Sequence, residues 1–170
     1  MNNHKIHCSY YNSDIGSPGC ICLNKWDKYF LRQTPYIASL SPDKSTKCGS
    51  ILVKDNKVIG QGFNGNAKKI RDLEVPDSRP EKYFFKIHSE VNAILNATQP
   101  IDNSCVMYVT SLPCSQCIQF MYHVGIRTVY YSNFNDPKMC DEQDKKMREW
   151  FISLCLEYYN IIYVDKKELD

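Results

Sequence analysis

The segment His88-Ser89-Glu90, followed further along by Pro113-Cys114-Ser115-Gln116-Cys117, restricts the fold more than any other feature of the chain. Cys114 and Cys117 stand three positions apart, so a helix starting near Cys114 puts both sulfurs on one face, where they can grip a single ion. A helix start also offers unpaired backbone N–H groups and the positive end of the dipole, which favour the thiolate that binds metal. Pro113 suits that boundary, because it fixes its own φ and disfavours helix at the residue before it. His88 opens a second stretch in which Val91, Ile94, Leu95 and Thr98 recur at helical spacing. The fold is therefore expected to bring two helix N-termini together at one point.

One imidazole and two thiolates give zinc three protein ligands and leave a fourth position for water, the pattern of a catalytic metal site. Glu90 lies two positions from His88, roughly 200° around a regular helix, so it is read as a proton carrier rather than a ligand. A lone C-x-x-C also occurs in redox pairs and structural zinc knuckles, and a lone H-x-E carries little information. Their joint occurrence, in this order and with the proline in place, selects the metal site.

A length of 170 residues suits one domain with a real core. The net charge of +2 is mild, and no block of basic residues tracks a phosphate backbone, so a small charged substrate is expected and nucleic acid is not. Met1-Asn2-Asn3-His4-Lys5 has no apolar signal character and no run is long enough to span a bilayer, which predicts a cytoplasmic protein without a membrane partner. Nine cysteines, an odd count, fit a reducing compartment. Cys105 and Cys155 sit in apolar patterns and read as core. Cys8, Cys20 and Cys22, with His4, His7 and Cys48, offer either a second, structural zinc site or scattered thiols of a loose extension.

Residues 1–24 are polar and read as an N-terminal extension ahead of a domain spanning 25–170. Lys25 to Leu40 is expected to be helical, interrupted or kinked at Pro35. Cys48 to Lys54 and Lys57 to Phe63 read as a hairpin turning at Asp55-Asn56. After Gly65 a long, charged stretch runs to Ile87, of a length that is usually functional. Strands Cys105 to Thr110, Ile126 to Tyr131 and Ile161 to Val164 then alternate with helices from His88, Cys114 and about Asp141. The last of these should bury Met147, Phe151, Leu154, Cys155 and Tyr158 on one face. Such alternation argues for an α/β layered domain, parallel over its later strands.

H-x-E with P-C-x-x-C is the signature of zinc nucleobase deaminases. The chain further resembles the deoxycytidylate (dCMP) deaminase family of the cytidine-deaminase-like superfamily. The likeness runs through Trp26 to Phe30, Ser45-Thr46-Lys47, Gly62-Phe63-Asn64-Gly65, Arg79 to Tyr83, His88 to Ile94, Met107 to Thr110 and Pro113 to Cys117, ending near Gly125-Ile126. It implies a three-layer α/β/α fold with a five-stranded mixed sheet, zinc held by His88, Cys114 and Cys117, and Glu90 as the proton shuttle. It also implies hydrolytic deamination of dCMP to dUMP, which supplies the dTMP precursor, regulation by dCTP and dTTP, and a homo-oligomer.

Asn64 matches a family asparagine that faces nucleotide, either substrate or effector; its other reading is a turn residue beside Gly65. Lys68, Lys69, Arg71, Arg79 and Lys82 in the long stretch are the candidates to hold a 5′-phosphate, with Arg71, Arg79 and Lys82 taken as nucleotide contacts; each also reads as a solvated surface charge. Phe134, past the fourth strand, reads as a base or sugar contact or as a core aromatic. Ser89 stands where the family usually has alanine, Phe63 where it has tyrosine and Cys48 where it has valine. The histidines some phage members use for a second zinc are absent between Gly65 and Arg79. The rival readings are a polynucleotide deaminase acting on tRNA adenosine or single-stranded DNA cytidine, and a non-catalytic zinc scaffold; retention of Glu90 disfavours the scaffold.

Overall fold

A computed structural model describes residues 23–134, 142–155, 157 and 159–169. The expected extension, with His4, His7, Cys8, Cys20 and Cys22, falls almost wholly outside these residues. Among them, no helix is long and apolar enough to cross a membrane.

Five strands form one mixed sheet in the order β2-β1-β3-β4-β5. Strands β1 (Gly49–Lys54) and β2 (Lys57–Phe63) are antiparallel and joined at Asp55 and Asn56, whose φ values of 51° and 57° suit the tight hairpin turn that matches strand twist. β1 pairs antiparallel with β3 (Val106–Val109), and β4 (Thr128–Tyr131) and β5 (Asn160–Tyr163) follow in parallel.

Alternation along the strands sorts side chains into two cores. Leu52, Met107, Val109, Val129, Tyr131 and Ile161 face helices α2 (Ser89–Leu95), α3 (Ser115–His123) and α4 (Glu142–Leu154). Ile51, Val53, Tyr108, Tyr130 and Ile162 face α1 (Lys25–Ser39). Helices thus cover both faces, giving the expected three layers.

Helix α1 starts at a capping box, in which the Asn24 side chain accepts from the Trp26 and Asp27 N–H groups and the Asp27 carboxylate accepts from the Asn24 N–H. It runs on through Pro35 rather than being interrupted there. Pro35 has no N–H for the Leu31 carbonyl, and the buried Thr34 hydroxyl donates to that carbonyl instead, at 2.8 Å.

Two other expectations are corrected. Helix α2 ends at Leu95, which is exposed; its buried face is carried by Ala93 and Ile94, and Thr98 lies past the end, donating from N and Oγ1 to the Ile59 carbonyl. On α4, Phe151 and Ile152 pack on the core, with Cys155 just beyond the helix, whereas Met147 and Leu154 are exposed; Tyr158 lies outside the described residues. Periodicity identified the helix but not its rotation, because Arg148 occupies a buried position that an apolar pattern does not register.

Helix α2 lies unusually close to β2. A Cβ on Gly62 would stand 2.3 Å from the Ala93 nitrogen and 2.4 Å from the Ser89 carbonyl oxygen. Asn92 and Asn96, one turn apart on α2, donate their side-chain amides to the Phe63 and Gln61 carbonyls at 2.8 and 2.9 Å. Gly62→Ala should therefore push α2 off the sheet, lowering stability by about 1–3 kcal/mol and weakening zinc retention; urea unfolding and metal analysis of the purified variant check both.

Candidate metal centre

His88 and Cys114 are the N-cap residues of α2 and α3, both with extended backbone (φ −69°, ψ 154° and φ −69°, ψ 165°) and neither using its side chain to cap its own helix. Their side chains are thereby free to point out of the helix ends. Nδ1 of His88 lies 3.4 Å from the Cys114 sulfur and 3.3 Å from that of Cys117, and all three donor atoms fall within 4.8 Å of one another. Zinc bonds of about 2.0 Å to nitrogen and 2.3 Å to sulfur, opening at a tetrahedral angle, put those donors roughly 3.5 Å apart, so the residues present fit the ion. Among the described residues this is the one cluster of three or more His, Cys, Asp or Glu donors that could hold a metal. Cys48 is not part of it.

The donors act on one another electrostatically. Hydrogen bonding to Cys114 holds the His88 imidazolium up at about 9 against the opposing effect of burial. The proton of Cys117, shared with Cys114, brings the Cys114 thiol down to about 4, and Cys117, which must keep that proton, is pushed up. These shifts favour negative charge on the Cys114 sulfur beside positive charge on the His88 ring, the arrangement a dication replaces.

Glu90, 5% exposed, stands in the first turn of α2. Burial pushes its carboxyl upward, partly countered by the nearby His88 charge. Its Oε2 accepts from the Ser89 hydroxyl at 3.0 Å, and Ser89 in turn contacts the Ser50 hydroxyl at 2.7 Å. A cleft of about 500 Å³ opens on His88 and Cys117, walled by Tyr83, Lys86, Val91 and Phe120.

The other candidates lie in several places. Lys82 is 2% exposed, its ammonium bonded to both Asp43 carboxylate oxygens and to the Ser45 hydroxyl, so it straps the long stretch to the segment before β1. Asn64 accepts from the Cys48 N–H and donates to the Thr46 carbonyl, closing the same loops. Arg79 is exposed, donates to the Thr46 hydroxyl and lies over the Tyr83 ring. Arg71 is exposed and pairs with Glu74. Phe134 packs on the α1 side of the sheet, with the Lys166 ammonium 5.7 Å from its ring centre. Sequence reasoning passed over Lys86, because nothing in the run Tyr83 to Ile87 distinguishes the cleft wall from the outer surface.

The Asp43 carboxyl would be raised by burial alone, yet hydrogen bonds from Lys82, the Ser45 and Thr46 N–H groups and the Ser45 hydroxyl bring it from 3.8 down to about 2. A depressed carboxyl stabilises the fold above its unfolded value and loses that contribution as pH falls through the folded one. The stability gap between the parent and Asp43→Asn should therefore be full above about pH 5 and shrink between about pH 4 and 2, as urea midpoints measured across that range will report.

A family model of the cytidine and deoxycytidylate deaminase zinc-binding region matches residues 24–133. The chain is 35% identical over 108 residues to an uncharacterized deaminase in the luxG 3′ region of Aliivibrio fischeri, covering 64% of this chain and 73% of that protein. It is 31% identical over 114 residues to the deoxycytidylate deaminase of Homo sapiens, covering 63% of this chain and 64% of the human protein, so the match spans less than two thirds of that relative. In fold it resembles the crystal structure of dCMP deaminase from cyanophage S-TIM5 in complex with dCMP and dUMP (TM-score 0.62, 20% identity, 81% of this chain and 95% of that one). Acinetobacter baumannii RibD is also similar in fold (TM-score 0.56, 18% identity, 85% of this chain and 36% of that one).

Proposed function

The chain belongs to the cytidine and deoxycytidylate deaminase family, whose zinc-binding region it carries, and from that premise we propose that it catalyses the hydrolytic deamination of dCMP to dUMP with one zinc ion. The observation that carries this reading is the convergence of His88, Cys114 and Cys117 beside a buried carboxyl that is not one of the donors. The naming of several relatives as deoxycytidylate deaminases supports the choice of substrate.

Held by His88, Cys114 and Cys117, zinc would supply the Lewis acidity that activates a water for attack on C4 of the pyrimidine. Glu90 takes the proton of that water. Its raised affinity for protons suits it to accept this one and deliver it to N3, then to accept the proton of the new C4 hydroxyl and deliver it to the departing amine, so that the C4–N bond breaks, the C4 carbonyl forms and ammonia leaves. The hydroxyl of Ser89 donates to Oε2 and so orients the carboxyl.

Lys86 on the cleft wall, with the exposed Arg71 and Arg79, is assigned to the 5′-phosphate, which needs cationic contacts to tell a nucleotide from a nucleoside. Lys82 and Asn64 support the loops that carry these groups. Phe134, just past β4, is read as the contact for sugar or base. Regulation by dCTP and dTTP, assembly as a homo-oligomer and a cytoplasmic location, where free thiols stay reduced, complete the reading.

Purified protein supplied with dCMP, dCTP, cytidine and CMP, with and without dCTP or dTTP as effector, should release ammonia fastest from dCMP; cytidine as the one substrate turned over would remove the phosphate assignment. Glu90→Gln should keep its zinc and lose about 10²–10⁴-fold in turnover, while stripping the metal with a chelator should abolish turnover in the parent; an active Glu90→Gln protein contradicts the shuttle role.

A further inference from the structure

The turn that bears Cys114 is gripped from a helix beyond residue 133, where the family match ends. From α4, the Asp144 Oδ1 atom accepts the backbone N–H of Ser115 at 2.8 Å. One turn further on, Arg148 donates from Nη1 to the Pro113 carbonyl at 3.0 Å and to Asp144 Oδ2 at 2.8 Å. The residues immediately before and after Cys114 are thus both fixed by one acid–base pair.

The energetics favour a specific role. Ser115 is the first residue of α3, so its N–H has no acceptor within the helix and a carboxylate is well received there. That same negative charge would oppose a neighbouring thiolate, and Arg148 neutralises it. Arg148 is 5% exposed, a position too costly for a guanidinium without bonded partners.

We propose that Asp144 and Arg148 are positioning residues for the metal: they lock the Pro113-Cys114-Ser115 turn so that the Cys114 sulfur stays within bonding reach of the ion shared with His88 and Cys117. This rests on the zinc reading above but not on the choice of substrate. Residues that orient metal ligands from behind typically change metal affinity about 10–100-fold when removed.

The test is zinc transfer from the loaded full chain to excess 4-(2-pyridylazo)resorcinol, which needs no turnover. Asp144→Ala and Arg148→Met should give up zinc about 10–100-fold more readily than the parent. Asp144→Asn, which keeps an oxygen acceptor for the Ser115 N–H, should fall between. Cobalt-substituted Asp144→Ala should show shifted ligand-field bands, a sign of altered geometry that general loosening does not produce. Leu31→Ala, which opens the core on the opposite face of the sheet, serves as a destabilised control and should hold zinc as the parent does. Parent-like retention in a folded Asp144→Ala overturns the proposal, as does equally fast release from Leu31→Ala. If Asp144→Ala does not fold, parent-like retention in both Arg148→Met and Asp144→Asn overturns it. Absence of dCMP turnover in the zinc-loaded parent bears on the substrate reading alone.

Discussion

Helix α2 can begin where it does because β2 offers it bare backbone. Gly60 and Gly62 lie so close to α2 that any side chain at either would collide with Ala93, and the Asn92 and Asn96 amides then pin the helix to the strand. This contact fixes the depth at which His88 leaves the helix end. The two sulfurs are set independently, by the exit of β3 into α3, so the metal centre exists only where two separately anchored helix starts agree to within a few tenths of an ångström. A shift of α2 by the width of a methyl group would separate the imidazole from both thiols without disturbing either helix internally.

The buried acids show how the chain divides structural from chemical work. Asp27 accepts the Tyr108 hydroxyl and the Asn24 N–H, and Asp43 accepts from the Lys82 ammonium; each ties separate segments of the fold together. Glu90 is buried as deeply but has a serine hydroxyl, itself contacting another serine, where Asp43 has an ammonium. A carboxyl so placed keeps its proton more readily than an ordinary one, because burial penalises its charge. That would be a poor way to stabilise a fold and suits the proton transfer proposed for Glu90.

Much of this was legible in the residues themselves, where local chemistry decides the outcome. Asp55-Asn56 between two β-rich runs specifies a two-residue hairpin, and Pro113 before a C-x-x-C specifies a helix start, since both depend on neighbours in sequence. Long-range partners were harder to read. Lys82 reads as one more surface cation of a charged stretch until Asp43, far away in sequence, is seen to meet it. Asn64 invites a ligand-binding role because its amide is versatile, yet both ends of that amide are spent on the Cys48 and Thr46 backbone. Pro35 advertises a break that Thr34 quietly repairs, and the rotation of α4 follows from a buried arginine that hydrophobic periodicity counts as surface.

The asparagine pair on α2 has one more effect. A terminal strand normally presents alternate unpaired carbonyls that can template an additional strand from another molecule. On β2 these positions, Ile59, Gln61 and Phe63, already accept hydrogen bonds from Thr98, Asn96 and Asn92. That margin of the sheet thus offers fewer free carbonyls to an added strand.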